Sequence, residues 1–370
     1  MTGTFRGVWV AIGAVLALLG GCVESPGDQV IPTGATSGHP SSHAFASTST
    51  APDPDPNPEP GLDPPASVGV MLGILPIGSS QQAISVGGRI RMYRAYRPAR
   101  LTRFAPLVVM FHGGLGSAAL AERAYGWDAL ADREGFVVLY PDAVGGAWNV
   151  GGGCCGLAPA QGVDDVTFVK AAIDNLSTRV SIDPRRTYAA GMSVGGMMAY
   201  RMACEKTLFA AIGPVASTLV GDCPNPAPTS IIHVHGNADP TVPYDGIPGG
   251  GVAQIEGVAI PALHSAWRGY ARCGGDLSSV SGRVSTMIAQ CPEGRSVTLV
   301  TIDGGGHDWP GVGRTGPLDA SPSPSPSPPS PTSAGANPSA TPLPTVGPTR
   351  GATAYDTTVA LWAFFKAHGR

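Results

Sequence analysis

A serine between glycines carries the first chemical signal in this chain. The segment Gly191-Met192-Ser193-Val194-Gly195 matches the pattern G-x-S-x-G, although a chain with 52 glycines meets that pattern easily by chance. Its surroundings are more specific, because a short apolar strand precedes the serine and a helical pattern follows it. A sharp turn between strand and helix exposes the serine oxygen. We therefore predict Ser193 as a nucleophile; the alternative is a serine that only caps the helix beginning near Val194.

A serine hydroxyl becomes nucleophilic when a base removes its proton and an acid orients that base. We predict His307 as the base, because it follows a predicted strand on a loop of three glycines. We predict Asp239 as the acid, because it lies in the turn after the predicted strand that ends at His235. The carboxyl ends of such strands are where α/β sheets keep their sites. The alternatives are Asp245 and Asp276 for the acid and His264 for the base.

Catalysis by such a serine also needs hydrogen-bond donors for the developing oxyanion. The segment Phe111-His112-Gly113-Gly114-Leu115-Gly116 follows an early apolar strand. We expect the amide of Gly114 or Leu115 to act together with that of Val194. His112 is predicted to be a structural hydrogen-bonding residue. The alternative for the whole segment is a flexible glycine turn.

Apolar runs that suit buried strands alternate with helical patterns along the middle of the chain. This alternation predicts a mostly parallel central sheet with helices on both faces. A final amphipathic helix is predicted to pack back on the same domain. The predicted strands are 107–111, 136–140, 187–190, 231–235 and 297–302, and the predicted helices are 118–134, 163–179, 194–206 and 353–368.

The first residues indicate export. Arg6 precedes an apolar stretch at 8–19, and the small residues Gly20 and Gly21 stand before Cys22. This arrangement is typical of a signal peptide, at 1–21, followed by a lipid-modified cysteine. We therefore expect an exported protein that is anchored to the membrane through Cys22.

Two Pro- and Ser-rich tracts divide the rest of the chain. Residues 22–66 and 320–350 contain too few large apolar side chains to fold, so we expect a disordered tether and a disordered insertion. The catalytic domain is then assigned to 67–319 and 351–370. The net charge of −3, with only 13% charged residues, argues against nucleic-acid binding.

Six cysteines remain beyond Cys22, and an even number in an oxidising compartment predicts disulfides. Sequence leaves their connectivity open, but two pairings close short loops and leave an adjacent pair. The Cys-x-x-Cys spacing of zinc sites is absent from the sequence, so we expect no metal and no cofactor. The candidate pairs are Cys204 with Cys223, Cys273 with Cys291, and Cys154 with Cys155.

Taken in order, these motifs resemble the secreted esterases grouped as polyhydroxybutyrate depolymerase-like and feruloyl esterase-like proteins, close to actinobacterial lipoproteins of that type. The resemblance covers about 88–310 and the last helix, and the Ser/Pro tract at 320–350 departs from it. It implies an α/β-hydrolase fold and the same triad. The motifs that carry it are His112-Gly113-Gly114, Tyr140-Pro141-Asp142, Trp148-Asn149, Cys154-Cys155-Gly156, Val163-Asp164-Asp165-Val166, the run from Gly191 to Gly196, His235-Gly236 with Asp239, Val242-Pro243-Tyr244, and Gly304-Gly305-Gly306-His307 with Trp309-Pro310-Gly311.

The resemblance implies that Trp148 and Trp309 line the substrate cleft, and Tyr244 would offer a further flat face to an aromatic acyl group or a sugar ring. Core packing is the alternative for the tryptophans. The implied activity is that of a monomeric serine carboxylic-ester hydrolase, acting on a small or polysaccharide-linked ester of a feruloyl or acetyl type. The alternatives are a polyester depolymerase proper, a peptidase on the same scaffold, and a non-catalytic binding lipoprotein.

Overall fold

The computed structural model describes residues 73–205, 208–250, 254–311 and 355–370. The lipidation site predicted at Cys22, the tether at 22–66 and the insertion at 320–350 lie outside these residues.

A single sheet runs through the part of the chain that is described. Its ten strands there are β1 (Gly78–Val86), β2 (Arg89–Arg97), β3 (Ala105–Phe111), β4 (Val137–Pro141), β5 (Ile182–Met192), β6 (Ala211–Val215), β7 (Ser230–Gly236), β8 (Asp276–Ser281), β9 (Val284–Gln290) and β10 (Ser296–Ile302). Their spatial order is β1-β2-β4-β3-β5-β6-β7-β10-β9-β8. The six central strands from β4 to β10 are mutually parallel, and antiparallel pairs flank them on both sides.

Helices cover both faces of this sheet. They are α1 (Ala118–Ala124), α2 (Trp127–Glu134), α3 (Leu157–Ala160), α4 (Asp165–Ser177), α5 (Val194–Glu205), α6 (Ile260–Tyr270) and α7 (Thr357–Ala367). The core of one face contains side chains of α4, α5 and α6, and the core of the other contains side chains of α1, α2 and α7. The prediction of an α/β-hydrolase fold with a mostly parallel sheet is confirmed.

The central strands form where apolar residues follow one another without interruption. Every residue of β3, with the sequence Ala-Pro-Leu-Val-Val-Met-Phe, is buried, as a strand covered on both faces requires. The single helix predicted at 118–134 is wrong, since the chain forms α1 and α2 there. Gly126 between them has a φ of 71°, a left-handed conformation that an α-helix cannot continue through.

The last helix lies on the α1 and α2 side of the sheet. Leu361, Trp362 and Phe365 of α7 are buried in the core. The ring of Phe365 stacks on that of Tyr188 from β5 at a centroid distance of 4.9 Å. The helix begins at Asp356, whose side chain accepts a hydrogen bond from the amide of Val359.

The described residues form three disulfides, two of which join segments that are distant in sequence. They join Cys154 with Cys155, Cys204 with Cys223, and Cys273 with Cys291. The last pair fixes the segment after α6 to the end of β9. Among the described helices, none combines the length and the apolar character that crossing a membrane requires.

Candidate active site

Ser193 stands at the turn between β5 and α5, in the position that the sequence motif predicts. Its φ of 55° lies in the left-handed region, which a serine rarely adopts outside a constrained turn. The turn is tight, because a Cβ atom on Gly191 would lie 2.2 Å from the main-chain oxygen of Gly195. The amide of Ser193 donates to the carbonyl of Val215 over 2.9 Å, which holds the turn against the end of β6.

The structure brings His307 to this serine. Its Nε2 atom lies 3.0 Å from Ser193 Oγ. The glycine loop before His307 packs against the end of β7, where a Cβ atom on Gly236 would lie 2.2 Å from the oxygen of Gly305. The amide of Ala238 donates to that same oxygen over 2.9 Å. The loops that carry the base and the acid are therefore joined by main-chain contacts.

Asp239 completes the arrangement. Its Oδ2 atom lies 2.8 Å from Nδ1 of His307, and its Oδ1 atom accepts hydrogen bonds from the amides of Thr241 and Val242 at 2.8 and 2.9 Å. Burial would raise the pKa of this carboxyl, but hydrogen bonds from His235 and His307 outweigh it and hold the pKa below its ordinary value. The buried carboxylate is therefore ionised at neutral pH.

The alternative acids and the alternative base lie elsewhere. Asp245 is exposed, and its side chain accepts a hydrogen bond from the amide of Ile247. Asp276 is bound by His264 Nε2 at 2.9 Å and by Arg268 at 2.5 Å. His264 and Arg268 thus connect α6 to Asp276 on β8 and do not take part in the arrangement at Ser193.

The glycine-rich segment after β3 faces Ser193. Gly114 and Leu115 line one cleft together with Ser193. Their main-chain N–H groups, like that of Val194, donate to no protein acceptor within the ranges the structure describes. Leu115 has a φ of 59° and leaves its side chain exposed. The amides of Gly114, Leu115 and Val194 are the candidates for donors to an oxyanion at Ser193.

His112 supports this segment from behind. Burial lowers the pKa of its imidazole, so the ring is neutral at physiological pH. Its Nδ1 atom donates to the oxygen of Gly113 at 2.8 Å, and its Nε2 atom accepts from the amide of Ala143 at 3.1 Å. A neutral imidazole satisfies both contacts at once, which fits the structural role predicted for it.

The aromatic residues predicted to contact substrate do not line the cleft at Ser193. Trp148 is 0% exposed, and its indole Nε1 donates to the main-chain oxygen of His112. Trp309 is 7% exposed, and its Nε1 donates to the hydroxyl of Thr358. Tyr244 is half-buried, and its hydroxyl hydrogen-bonds with Thr301. The expectation that the tryptophans offer faces to substrate is wrong, because each indole is packed in the core and fixed through its N–H.

Other side chains form the apolar wall of this cleft, which has a volume of about 200 Å³. Leu120, Ala121 and Tyr125 come from α1 and its end, and Met192 precedes the nucleophile. The Tyr125 ring lies 4.6 Å from that of Trp309, so the tryptophan supports the wall from behind. Sequence reasoning missed these residues, although the place of Met192 inside the G-x-S-x-G motif was a usable signal. Within the described part of the chain, no group of three or more His, Cys, Asp or Glu side chains could hold a metal ion.

The chain is similar to known proteins. Residues 92–243 match the family described as esterase PHB depolymerase. The putative esterase NocK of Nocardia uniformis subsp. tsuyamanensis is 32% identical over 265 residues, which cover 63% of this chain and 74% of that protein. Feruloyl esterase B of Piromyces equi is 32% identical over 221 residues, which cover 55% of this chain but only 39% of that protein.

Among solved structures, an acetyl xylan esterase from Aspergillus awamori is similar with a TM-score of 0.46 and 16% identity, over 62% of this chain and 94% of that one. The long sequence match to NocK and the match of the central segment to one family lead to the same conclusion: the chain belongs to the esterase PHB depolymerase family.

Proposed function

We propose that the protein hydrolyses carboxylic esters through an acyl-enzyme on Ser193. One observation carries the proposal: hydrogen bonds run from Ser193 Oγ to His307 Nε2, and from His307 Nδ1 to Asp239 Oδ2, over 3.0 and 2.8 Å. Ser193 and His307 line a cleft, whereas a structural serine would be packed against protein atoms. The neighbouring family members named as esterases support the same chemistry.

The geometry gives each group a role. Ser193 Oγ attacks the ester carbonyl while His307 Nε2 takes its proton, and ionised Asp239 stabilises the resulting imidazolium. The amides of Val194 and of Gly114 or Leu115 stabilise the oxyanion. His307 then protonates the departing alcohol, and a water molecule activated by the same imidazole releases the acid.

The cleft supports a small acyl or alcohol group as substrate. Its wall of Leu120, Tyr125 and Met192 is apolar and its volume of about 200 Å³ suits an aromatic or short acyl acid. A feruloyl or acetyl ester on a polysaccharide is therefore our first substrate class, and the relative named as a feruloyl esterase is consistent with it. Because the family is described as esterase PHB depolymerase, a polyester is our second substrate class.

The test compares Ser193→Ala with the matched control Ser265→Ala, which changes an exposed serine on α6. We expect the first variant to lose hydrolysis of methyl ferulate and of a short nitrophenyl ester, and the second to keep it. A fluorophosphonate should add one adduct mass to the wild type at Ser193 only. Full activity in Ser193→Ala would show that another residue is the nucleophile. A wild type that hydrolyses none of these esters and no polyhydroxybutyrate would favour a binding protein instead.

We further propose that the protein is exported, carries lipid on Cys22 and acts outside the cell as a monomer. The signal-like first residues and the three disulfides support export. Replacement of Cys22 by Ser should move the protein from the membrane fraction to the medium with unchanged activity per mole. Retention of the variant in the membrane fraction after signal cleavage would contradict the anchor.

A further inference from the structure

A row of buried side chains reaches Asp239 from the core, on the side away from His307. Tyr200 on α5 and His233 and His235 on β7 are 1%, 3% and 1% exposed. The two histidines are two residues apart on one strand, so they point to the same face of the sheet. Polar groups buried this deeply need hydrogen-bond partners, and these three find them in one another.

The direction of the hydrogen bonds follows from the His235 end. The amide of Ser217 donates to Nδ1 of His235 over 3.3 Å, so that atom carries no proton in the neutral ring. The proton is then on Nε2, which lies 2.9 Å from the oxygen of Val242. Because a carbonyl oxygen only accepts, this second contact requires the same tautomer.

The same reasoning orients the rest of the row. His233 Nε2 lies 3.0 Å from the unprotonated Nδ1 of His235, so His233 donates through Nε2. Its own Nδ1 then accepts from the hydroxyl of Tyr200 at 2.8 Å. Burial and the neighbouring His235 lower the pKa of His233 well below its ordinary value, so the ring stays neutral. All donors in the row therefore point from Tyr200 toward Asp239.

The row ends at Oδ2 of Asp239, the oxygen that accepts a hydrogen bond from His307. His235 Nε2 lies 3.4 Å from Asp239 Oδ2, and both side chains are 0% exposed. Oδ2 is also the atom that accepts from His307 Nδ1. The single Nε2–H of His235 is shared: it donates to the oxygen of Val242 at 2.9 Å and has a longer contact with Oδ2 at 3.4 Å, which restricts rotation of the carboxylate and supplies part of the solvation that burial removes.

We propose that His235 is a positioning residue for Asp239: its Nε2–H, oriented by the row from Tyr200 through His233, holds Oδ2 in line with His307. This inference rests on the proposed function. It assigns no proton transfer to His235.

The test uses two amide side chains of different reach. In His235→Gln the amide group takes about the place of Nε2 and can still donate to Asp239, whereas in His235→Asn it takes about the place of Nδ1 and cannot. We expect His235→Asn to lower kcat by roughly 10²-fold, the typical cost of a misplaced catalytic group, with KM little changed. His235→Gln should recover most of kcat. Activity is measured per active site, by titrating the acyl-enzyme burst, so that unfolded protein is not counted.

Tyr200→Phe supplies a milder second variant, because it removes only the first donor of the row. It should lower kcat severalfold without raising KM. His264→Asn is the matched control, since His264 is also buried and bound to a carboxylate but does not contact Asp239. The proposal would be overturned by equal kcat in His235→Gln and His235→Asn, or by a change in KM without a change in kcat. It would also be overturned if His264→Asn lowered kcat as much as His235→Asn does. Loss of activity in Ser193→Ala together with such a result would leave the proposed function standing and remove only the role of His235.

Discussion

The main-chain oxygen of Phe111 lies 2.3 Å from the position that a Cβ atom on Gly195 would occupy. Helix α5 and the end of β3 therefore approach so closely that only glycine fits between them. The contact sets the distance between the nucleophile turn and the segment that offers amides to the oxyanion.

Gly195→Ala should consequently damage catalysis more than folding. The new methyl group displaces the backbone at Phe111 and His112, and a shift of the oxyanion donors is expected to cost roughly 10²-fold in kcat. Gly269→Ala is the control, because no atom lies within 4 Å of its added Cβ on α6. Steady-state kinetics and thermal unfolding of both variants check this, and equal kinetics would contradict the role given to the contact.

Asp239→Asn should lower kcat by about 10⁴-fold, as such a change does in other triads. The amide turns a donor or a weaker acceptor toward His307 Nδ1, which disfavours the tautomer that accepts the serine proton. Asp245→Asn changes an exposed carboxylate in the same loop and should leave kcat within experimental error. If Asp245→Asn were the inactive variant, the acid would have been assigned to the wrong residue.

Asp128, which lies away from the candidate active site, should make the free energy of unfolding depend on pH. Burial raises the pKa of its carboxyl to about 7, although Tyr140 donates a hydrogen bond to it. Between about pH 4 and pH 7 the folded protein then holds a proton that the unfolded chain has lost, so this residue stabilises the fold less as the pH rises.

Asp128→Asn mimics the protonated carboxyl, so it should raise Tm more at pH 8 than at pH 5. Asp222→Asn, at an exposed position outside the helix that carries Asp128, is the control. Thermal unfolding at the two pH values gives the comparison, and an equal change in Tm at both would contradict the raised pKa.

Phe365→Ala should destabilise the protein by about 3–5 kcal/mol, because a fully buried ring is removed from between Trp127 and Tyr188. Phe364→Ala, which removes a half-buried ring from the neighbouring position, should cost clearly less. Urea unfolding of the two variants measures the difference. A loss in Phe365→Ala as small as that expected for Phe364→Ala would show that α7 contributes little to the core.

Sequence patterns predicted most of the strands that are buried on both sides, but not β6, in which every residue is buried. The continuous apolar run of β3 and the strand before Ser193 were visible because both faces of these strands are buried. By contrast, β8 is exposed along almost its whole length and is held by main-chain pairing with β9, so no apolar pattern marks it. The break between α1 and α2 depends on the backbone conformation of Gly126, which its neighbours in sequence do not reveal.

The same distinction applies to the site. Ser193, Asp239 and His307 were predicted because each stands at the end of a recognisable strand. The placement of Trp148 was not, because its burial depends on a hydrogen bond to His112, thirty-six residues earlier in the chain. The tautomers of His233 and His235 likewise depend on Ser217 and Val242, which belong to other segments.

The position of α7 has a consequence for how the protein reaches its folded form. In chain order, this helix follows every element that carries the proposed catalytic groups. Until it has been synthesised and, in the proposed pathway, has crossed the membrane, the aromatic face around Trp127 and Tyr188 stays uncovered. A chain in transit therefore exposes an aromatic surface that is prone to aggregation until the last helix arrives.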